Sequence, residues 1–297
     1  MLPGIRSRRA AFALLALSAL ATVPAMAAEP GPQGPPVGQF HEQPYLIPWD
    51  PEAGAGGLML EATVYRPDGN GPWPLAIVSH GSPRDAAQRP TMHATYRTAS
   101  QWLVYQGYAV VVPMRRGYGN SGGGWAENPG PCANSNYFNA GIASSQDLAV
   151  VIAYMRRQSF VDPKRIVLIG HSAGGWASLA AASRGLDGVI GVVNFAGGRG
   201  SQRPDEVCRP DRLIDAVKSY GATTRVPTLW IYAENDHFFN PTLARQMFDT
   251  YVAAGAPRAE FFRAPATGKD GHNFFNEASG TWEPPVGAFL RKIGATP

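Results

Sequence analysis

The residues with the clearest chemical potential lie in the run Ile166-Val167-Leu168-Ile169-Gly170-His171-Ser172-Ala173-Gly174-Gly175. An apolar stretch runs into G-x-S-x-G, and residues 176–182 behind it are good helix formers. A strand, a sharp turn and a helix in that order hold a serine with its hydroxyl exposed above a sheet, the geometry of a nucleophile elbow. Gly170 and Gly174 lack Cβ atoms, so the chain can turn tightly and pass close to its neighbours. A serine hydroxyl is a poor nucleophile until a base takes its proton, and the base needs an acid to fix its tautomer. Asp236, in Ala233-Glu234-Asn235-Asp236, and His272, in Gly271-His272-Asn273, each follow an apolar run and stand in the order Ser, acid, His. Glu234 is the rival acid. The other histidines have weaker claims: His80 and His171 sit inside motifs, His237 flanks the acid, and His41 and His93 precede the elbow. The chemistry expected of such a set is attack of Ser172 on an acyl carbon.

That attack builds negative charge on an oxygen, which backbone N–H groups must meet. Leu75-Ala76-Ile77-Val78-Ser79-His80-Gly81-Ser82 is an apolar strand ending in a flexible turn, so the N–H groups of Ser82 and Ala173 are the expected donors. Trp125, Trp176, Phe238 and Phe239 stand near the expected mouth and are candidates for an apolar acyl pocket. Arg115 and Arg116 could meet a substrate carboxylate, but structural ion pairs are the favoured reading.

These residues need a scaffold, and the chain supplies short apolar runs alternating with amphipathic helical stretches. That alternation predicts an α/β fold, with a mostly parallel central sheet and helices on both faces. Strands are expected at 75–79, 108–113, 165–169, 189–195, 228–233 and 259–263, and an antiparallel one at 58–65, where Leu58, Leu60, Ala62 and Val64 share a face. Leu148, Ile152 and Met155 form one helical stripe, Leu243, Met247 and Tyr251 another, and a last helix is expected over 285–293. Residues 28–56, rich in Pro and Gly, read as a tail or wrap without ladder pairing, leaving 57–297 as one domain. The connection between residues 195 and 211 is too short for a helical lid, so an open cleft is expected.

Composition narrows the function classes. Hydrophobic residues make up 44% of the 297 and charged residues 16%, which excludes a solvated, disordered chain. Residues 1–27 begin with Arg6, Arg8 and Arg9, continue through the apolar run 10–23 and end in Ala25-Met26-Ala27, the pattern of a cleaved secretory signal. Without that leader the net charge falls from +4 to +1, which argues against a nucleic-acid partner. The expected location is periplasmic or secreted, with no stable membrane insertion after cleavage. In an oxidising compartment Cys132 and Cys208 are expected to pair, two free buried thiols being the alternative.

Taken together, Ser79-His80-Gly81, Arg116-Gly117-Tyr118-Gly119-Asn120-Ser121-Gly122 and Gly170-His171-Ser172-Ala173-Gly174-Gly175 resemble the α/β-hydrolase superfamily. Within it they are similar to the dienelactone-hydrolase-like and prolyl-oligopeptidase-like branches. The resemblance implies a serine hydrolase acting on carboxylic esters, or as a variant on short peptides or amides. A non-catalytic binding protein of the same fold is the reading from another class. Two departures matter: dienelactone hydrolases proper use cysteine where this chain has Ser172, and the chain has no room for the propeller of prolyl oligopeptidases. No cofactor is expected. Gly117-Tyr118-Gly119-Asn120-Ser121-Gly122 matches G-x-G-x-x-G, but Gly123, Gly124, Asn128, Pro129, Gly130 and Pro131 follow where a phosphate-cradling helix should begin. No metal is expected either, since His41-Glu42 has Tyr45 in place of the second histidine of H-E-x-x-H.

Overall fold

Runs of β-branched and aliphatic residues, buried on both faces, set the centre of the molecule. A computed structural model describes Met1 and residues 29–50, 57–256 and 258–296. The expected leader lies outside the described residues. Strands β1 (Gly31–Pro32), β2 (Gln43–Pro48), β3 (Met59–Tyr65), β4 (Trp73–Ser79), β5 (Ala109–Pro113), β6 (Val161–His171), β7 (Val189–Phe195), β10 (Thr228–Ala233) and β11 (Ala259–Ala264) form one nine-stranded sheet. Their order is β1-β2-β3-β5-β4-β6-β7-β10-β11, and β8 (Ser201–Arg203) and β9 (Glu206–Val207) make a separate hairpin. The first three pairings are antiparallel and the rest parallel.

Alternation along the strands sends side chains to two cores. Leu75, Ile77, Val111, Leu168, Val192 and Trp230 pack beneath α2 (Tyr137–Met155), α3 (Ala173–Ser183), α4 (Pro210–Thr223) and α5 (Pro241–Ala253). Ala76, Val78, Val110, Val167, Val193 and Ile231 face α1 (Arg97–Tyr105), α6 (Phe274–Glu277) and α7 (Ser279–Lys292). The expected stripes hold, with Leu148, Ile152, Met155, Leu243, Met247 and Tyr251 all buried.

Two expectations are corrected. The Pro/Gly-rich segment is not a mere wrap, because β2 pairs with β3 from Gln43↔Val64 to Pro48↔Met59 and buries Tyr45 and Ile47. Its prolines are tolerated because only the two residues of β1 ladder onto its other side. The last helix starts at Ser279 rather than at Pro285, held by Trp282, which is 1% exposed and donates Nε1–H to Phe275 O at 3.0 Å.

Cys132 and Cys208 are joined by a disulfide, with Cα atoms 5.4 Å apart and a sequence separation of 76. Closure of a loop that long is worth about 4–5 kcal/mol in the chain-entropy account. Reduction should therefore lower the melting temperature. It should also loosen residues 122–130 beside the cleft, raising KM more than it lowers kcat. Mass spectrometry of the unreduced, folded protein is the check, and two alkylatable thiols in it would show that no bridge forms.

Candidate active site

Ser172 sits between the end of β6 and the start of α3 with φ 55° and ψ −120°. A non-glycine residue there stores on the order of 1–3 kcal/mol of backbone strain, sustained only by its surroundings. The surroundings are tight: a Cβ on Gly170 would lie 2.2 Å from Gly174 O, and one on Gly174 only 2.0 Å from Ser79 O. Ser172 N–H donates to Phe195 O at 2.9 Å, while its carbonyl accepts from Trp176 N at 3.0 Å. Ala173 opens α3, so its N–H is among those a helix leaves without an internal partner.

The expected acid and base lie on the turns beyond β10 and β11. Asp236, 1% exposed, accepts from Phe238 N at 2.7 Å and Phe239 N at 2.9 Å through Oδ1. Its Oδ2 lies 3.2 Å from His272 Nδ1. Glu234 instead pairs with Arg263 at 3.0 Å on the surface, whereas the buried contact to His272 is made by Asp236. Asp270 ties the two turns together, since its Oδ1 accepts from His237 N and His272 N, both at 3.0 Å. Phe238 stacks on the His272 imidazole at 3.8 Å and 8°.

Two further histidines make hydrogen bonds that brace these turns. His171 donates Nε2–H to His272 O at 2.8 Å, and its Nδ1 lies 3.4 Å from Tyr96 Oη, which accepts from Gly81 N at 3.3 Å. His80 bonds Gly81 O through Nδ1 at 2.6 Å and accepts from Arg115 N at 3.1 Å through Nε2. Burial, with Arg115 adding to it, pushes the His80 pKa down to about 3. Burial and the neighbouring His272 push His171 down to about 3 as well. Both therefore stay neutral near pH 7 and keep these bonds.

Behind the His80–Ser82 turn lies a buried ionic cluster. Arg115, fully buried, donates to both oxygens of Glu127 at 2.8 and 3.1 Å, to Ser79 Oγ at 2.9 Å and to His80 O at 2.7 Å. Arg199 Nη2 meets Glu127 Oε2 from another side at 2.8 Å. Burial alone would raise the Glu127 carboxyl, but Arg115 and Arg199 hold it well below the usual carboxylate range. Tyr118 donates its hydroxyl to Glu127, accepts from Trp125 Nε1 at 3.0 Å and lies 2.8 Å from Ser82 Oγ. Arg116 pairs with Asp147 at 2.6 Å. Both arginines thus take the structural role favoured by the sequence.

Ser172, Ser82, Ala173, Trp125, Phe238 and Phe239 surround one cavity, and His272 joins Ser172 in the cavity adjoining it. Trp176 is corrected: it is fully buried, donates Nε1–H to Tyr137 O at 2.9 Å and packs edge-on against Tyr220. Residues 173–182 of α3 are all buried, so this helix offers no open face and its tryptophan goes into the core. Sequence reasoning missed Glu127, Arg199, Tyr96, Arg84 and Arg89, of which only Glu127, Arg199 and Arg84 stand close to glycines in the sequence. The connection expected to be lidless carries only the β8–β9 hairpin. Among the described residues no group of three or more His, Cys, Asp or Glu is placed to hold a metal ion. Among them, too, no helix is long and apolar enough to cross a membrane.

The sequence pattern of the prolyl oligopeptidase family matches residues 94–187, from just before α1 to just past α3. Comparison with curated proteins finds no match. Among solved structures, an esterase of Pyrococcus furiosus is similar at 18% identity and a TM-score of 0.57, over 85% of this chain and 90% of that one. A Klebsiella pneumoniae protein provisionally assigned as a dienelactone hydrolase is similar at 17% and 0.54, over 80% and 94%. The acylaminoacyl peptidase of Pyrococcus horikoshii is similar at 18% and 0.60, over 86% of this chain but 42% of its own. The sheet order, the elbow between β6 and α3 and these likenesses agree: the chain has the α/β-hydrolase fold.

Proposed function

We propose that the protein is an exported serine hydrolase that cleaves carboxylic esters through an acyl-enzyme on Ser172. The observation that carries this reading is the His272 Nδ1 to Asp236 Oδ2 contact of 3.2 Å, buried beside a serine on a strained turn. Asp236 fixes the imidazole with Nδ1 protonated, leaving Nε2 to take the Ser172 proton as Oγ attacks the ester carbonyl. The N–H groups of Ser82 and Ala173 meet the developing oxyanion. His272 then returns the proton to the leaving alcohol, and water repeats the cycle on the acyl-enzyme. Buried arginine and glutamate behind Ser82 hold its turn still, which such donors require. Export is supported by the leader-like residues 1–27 and by the disulfide.

A peptidase reading uses the same residues and is favoured by the prolyl oligopeptidase pattern over 94–187. Ester cleavage is preferred because the chain covers 90% of the P. furiosus esterase but 42% of the P. horikoshii peptidase. The direct test is labelling with a fluorophosphonate: wild type should label at Ser172 and Ser172→Ala should not. Unlabelled but folded wild type would overturn the reading in favour of a binding protein.

The pH dependence is a second check. His272 must be neutral to act as base, so kcat/KM should be lost as falling pH protonates the base. His80 and His171, pushed down to about 3, contribute nothing to that loss near neutral pH. His237, exposed and hydrogen-bonded to Asp205, is shifted upward and could contribute to it. The rising limb should survive in His237→Asn, and a flat profile between about pH 5 and 8 in folded protein would rule out a histidine base.

A further inference from the structure

Ser172 stands between two unequal lobes. The smaller, about 140 Å³, is walled by Ser82, Ala173, Arg89, Trp125, Arg199 and Phe239. The larger, about 520 Å³, is walled by His93, Tyr96, His171, His272 and Asn276. Arg84 and Phe238 border both, and no Asp or Glu lines either. Because His272 must reach the departing oxygen, the leaving group occupies the larger lobe. The acyl chain then enters the smaller one.

That smaller lobe is cationic in a way the protein does not neutralise. Glu127 carries one charge and faces both Arg115 and Arg199, so the cluster behind the wall keeps one positive charge in surplus. Arg89 has no ion-pair partner among the described residues, and its guanidinium carbon sits over the Trp125 ring, 3.5 Å from the ring centre. Arg84 is less available: it stacks on Phe238 at 3.4 Å, bonds Ser201 Oγ at 2.7 Å and has Asp270, Asp236 and Asp205 near it. Arg89 Nε and Arg199 Nε are buried and meet no acceptor on the protein. Those two nitrogens are enclosed, so a ligand would be met by the guanidinium faces and ends that Arg84, Arg89 and Arg199 turn to the cavity, where no carboxylate competes for them. Guanidinium groups match a planar carboxylate best.

Resting on the serine-hydrolase reading, we propose that the small lobe is an anion subsite and that the preferred acyl group is short and ends in a carboxylate. A half-ester of a four-carbon dicarboxylic acid has the required length and charge. Monoethyl succinate and ethyl levulinate differ only in exchanging the terminal carboxylate for a neutral methyl ketone of similar shape. Wild type should show kcat/KM about tenfold or more higher for monoethyl succinate, and raised ionic strength should shrink that ratio. Arg89→Met should bring the ratio close to one, and Arg89→Lys should restore part of it. Equal or faster turnover of ethyl levulinate by wild type, or an unchanged ratio in Arg89→Met, overturns the subsite. So does fluorophosphonate labelling of Ser172 with neither ester turned over, whereas failure to label overturns the serine-hydrolase reading itself.

Discussion

Ser172→Ala should lower kcat for any ester the protein hydrolyses by about 10⁴- to 10⁶-fold while leaving the fold intact. That loss corresponds to about 5–8 kcal/mol of barrier, more than a perturbed pocket or misplaced loop supplies. Alanine retains the Cβ that the φ 55° turn already accommodates, so the substitution removes one oxygen without new backbone strain. Steady-state turnover of purified variant and wild type, with circular dichroism to confirm folding, is the measurement. A variant retaining about a tenth of the wild-type rate would end the covalent-serine reading.

Glu127→Gln should be among the most destabilising substitutions of a single atom type in the chain. Its carboxylate, 2% exposed at the side chain, balances two guanidinium groups that are 0% and 5% exposed. Removing the charge leaves both buried without a counter-ion, a change that typically costs about 3–5 kcal/mol. The pH sense follows from the depressed carboxyl. Stability from this group is complete above the unfolded glutamate value of ~4.3 and is lost as pH falls toward the lower folded value. Urea unfolding midpoints at neutral pH measure the effect, and a shift below about 1 kcal/mol would show the cluster to be relaxed or hydrated. Because Tyr118 bridges Glu127 to Ser82, the variant should also react more slowly than its remaining folded fraction explains.

What could be read in advance follows a physical line. The parallel strands were legible because strands covered by helices on both faces must be apolar throughout, as 109–113 and 166–169 are. The elbow was legible because its glycines answer to contacts of about 2 Å that no side chain survives. That Asp236 and His272 come together was legible from chain order. β2 was hidden because Pro44 and Pro48 count as breakers, though the burial of Tyr45 and Ile47 follows a strand alternation. Trp176 was misplaced because proximity to Ser172 along a helix says nothing about which side of that helix is enclosed. The Glu127 cluster was out of reach, since its members span residues 79 to 199 and meet only in three dimensions.

The sheet grows outward from the elbow in chain order, β6 to β7 to β10 to β11, and Asp236 and His272 sit on the turns after its last two strands. A folding chain can hold Ser172 on its turn before it holds either partner, since Asp236 arrives with β10 and His272 only once β11 and the turn behind it have docked. If Ser172 is the proposed nucleophile, its activation waits for the last strand of the sheet, and the partly folded molecule carries only an unactivated serine.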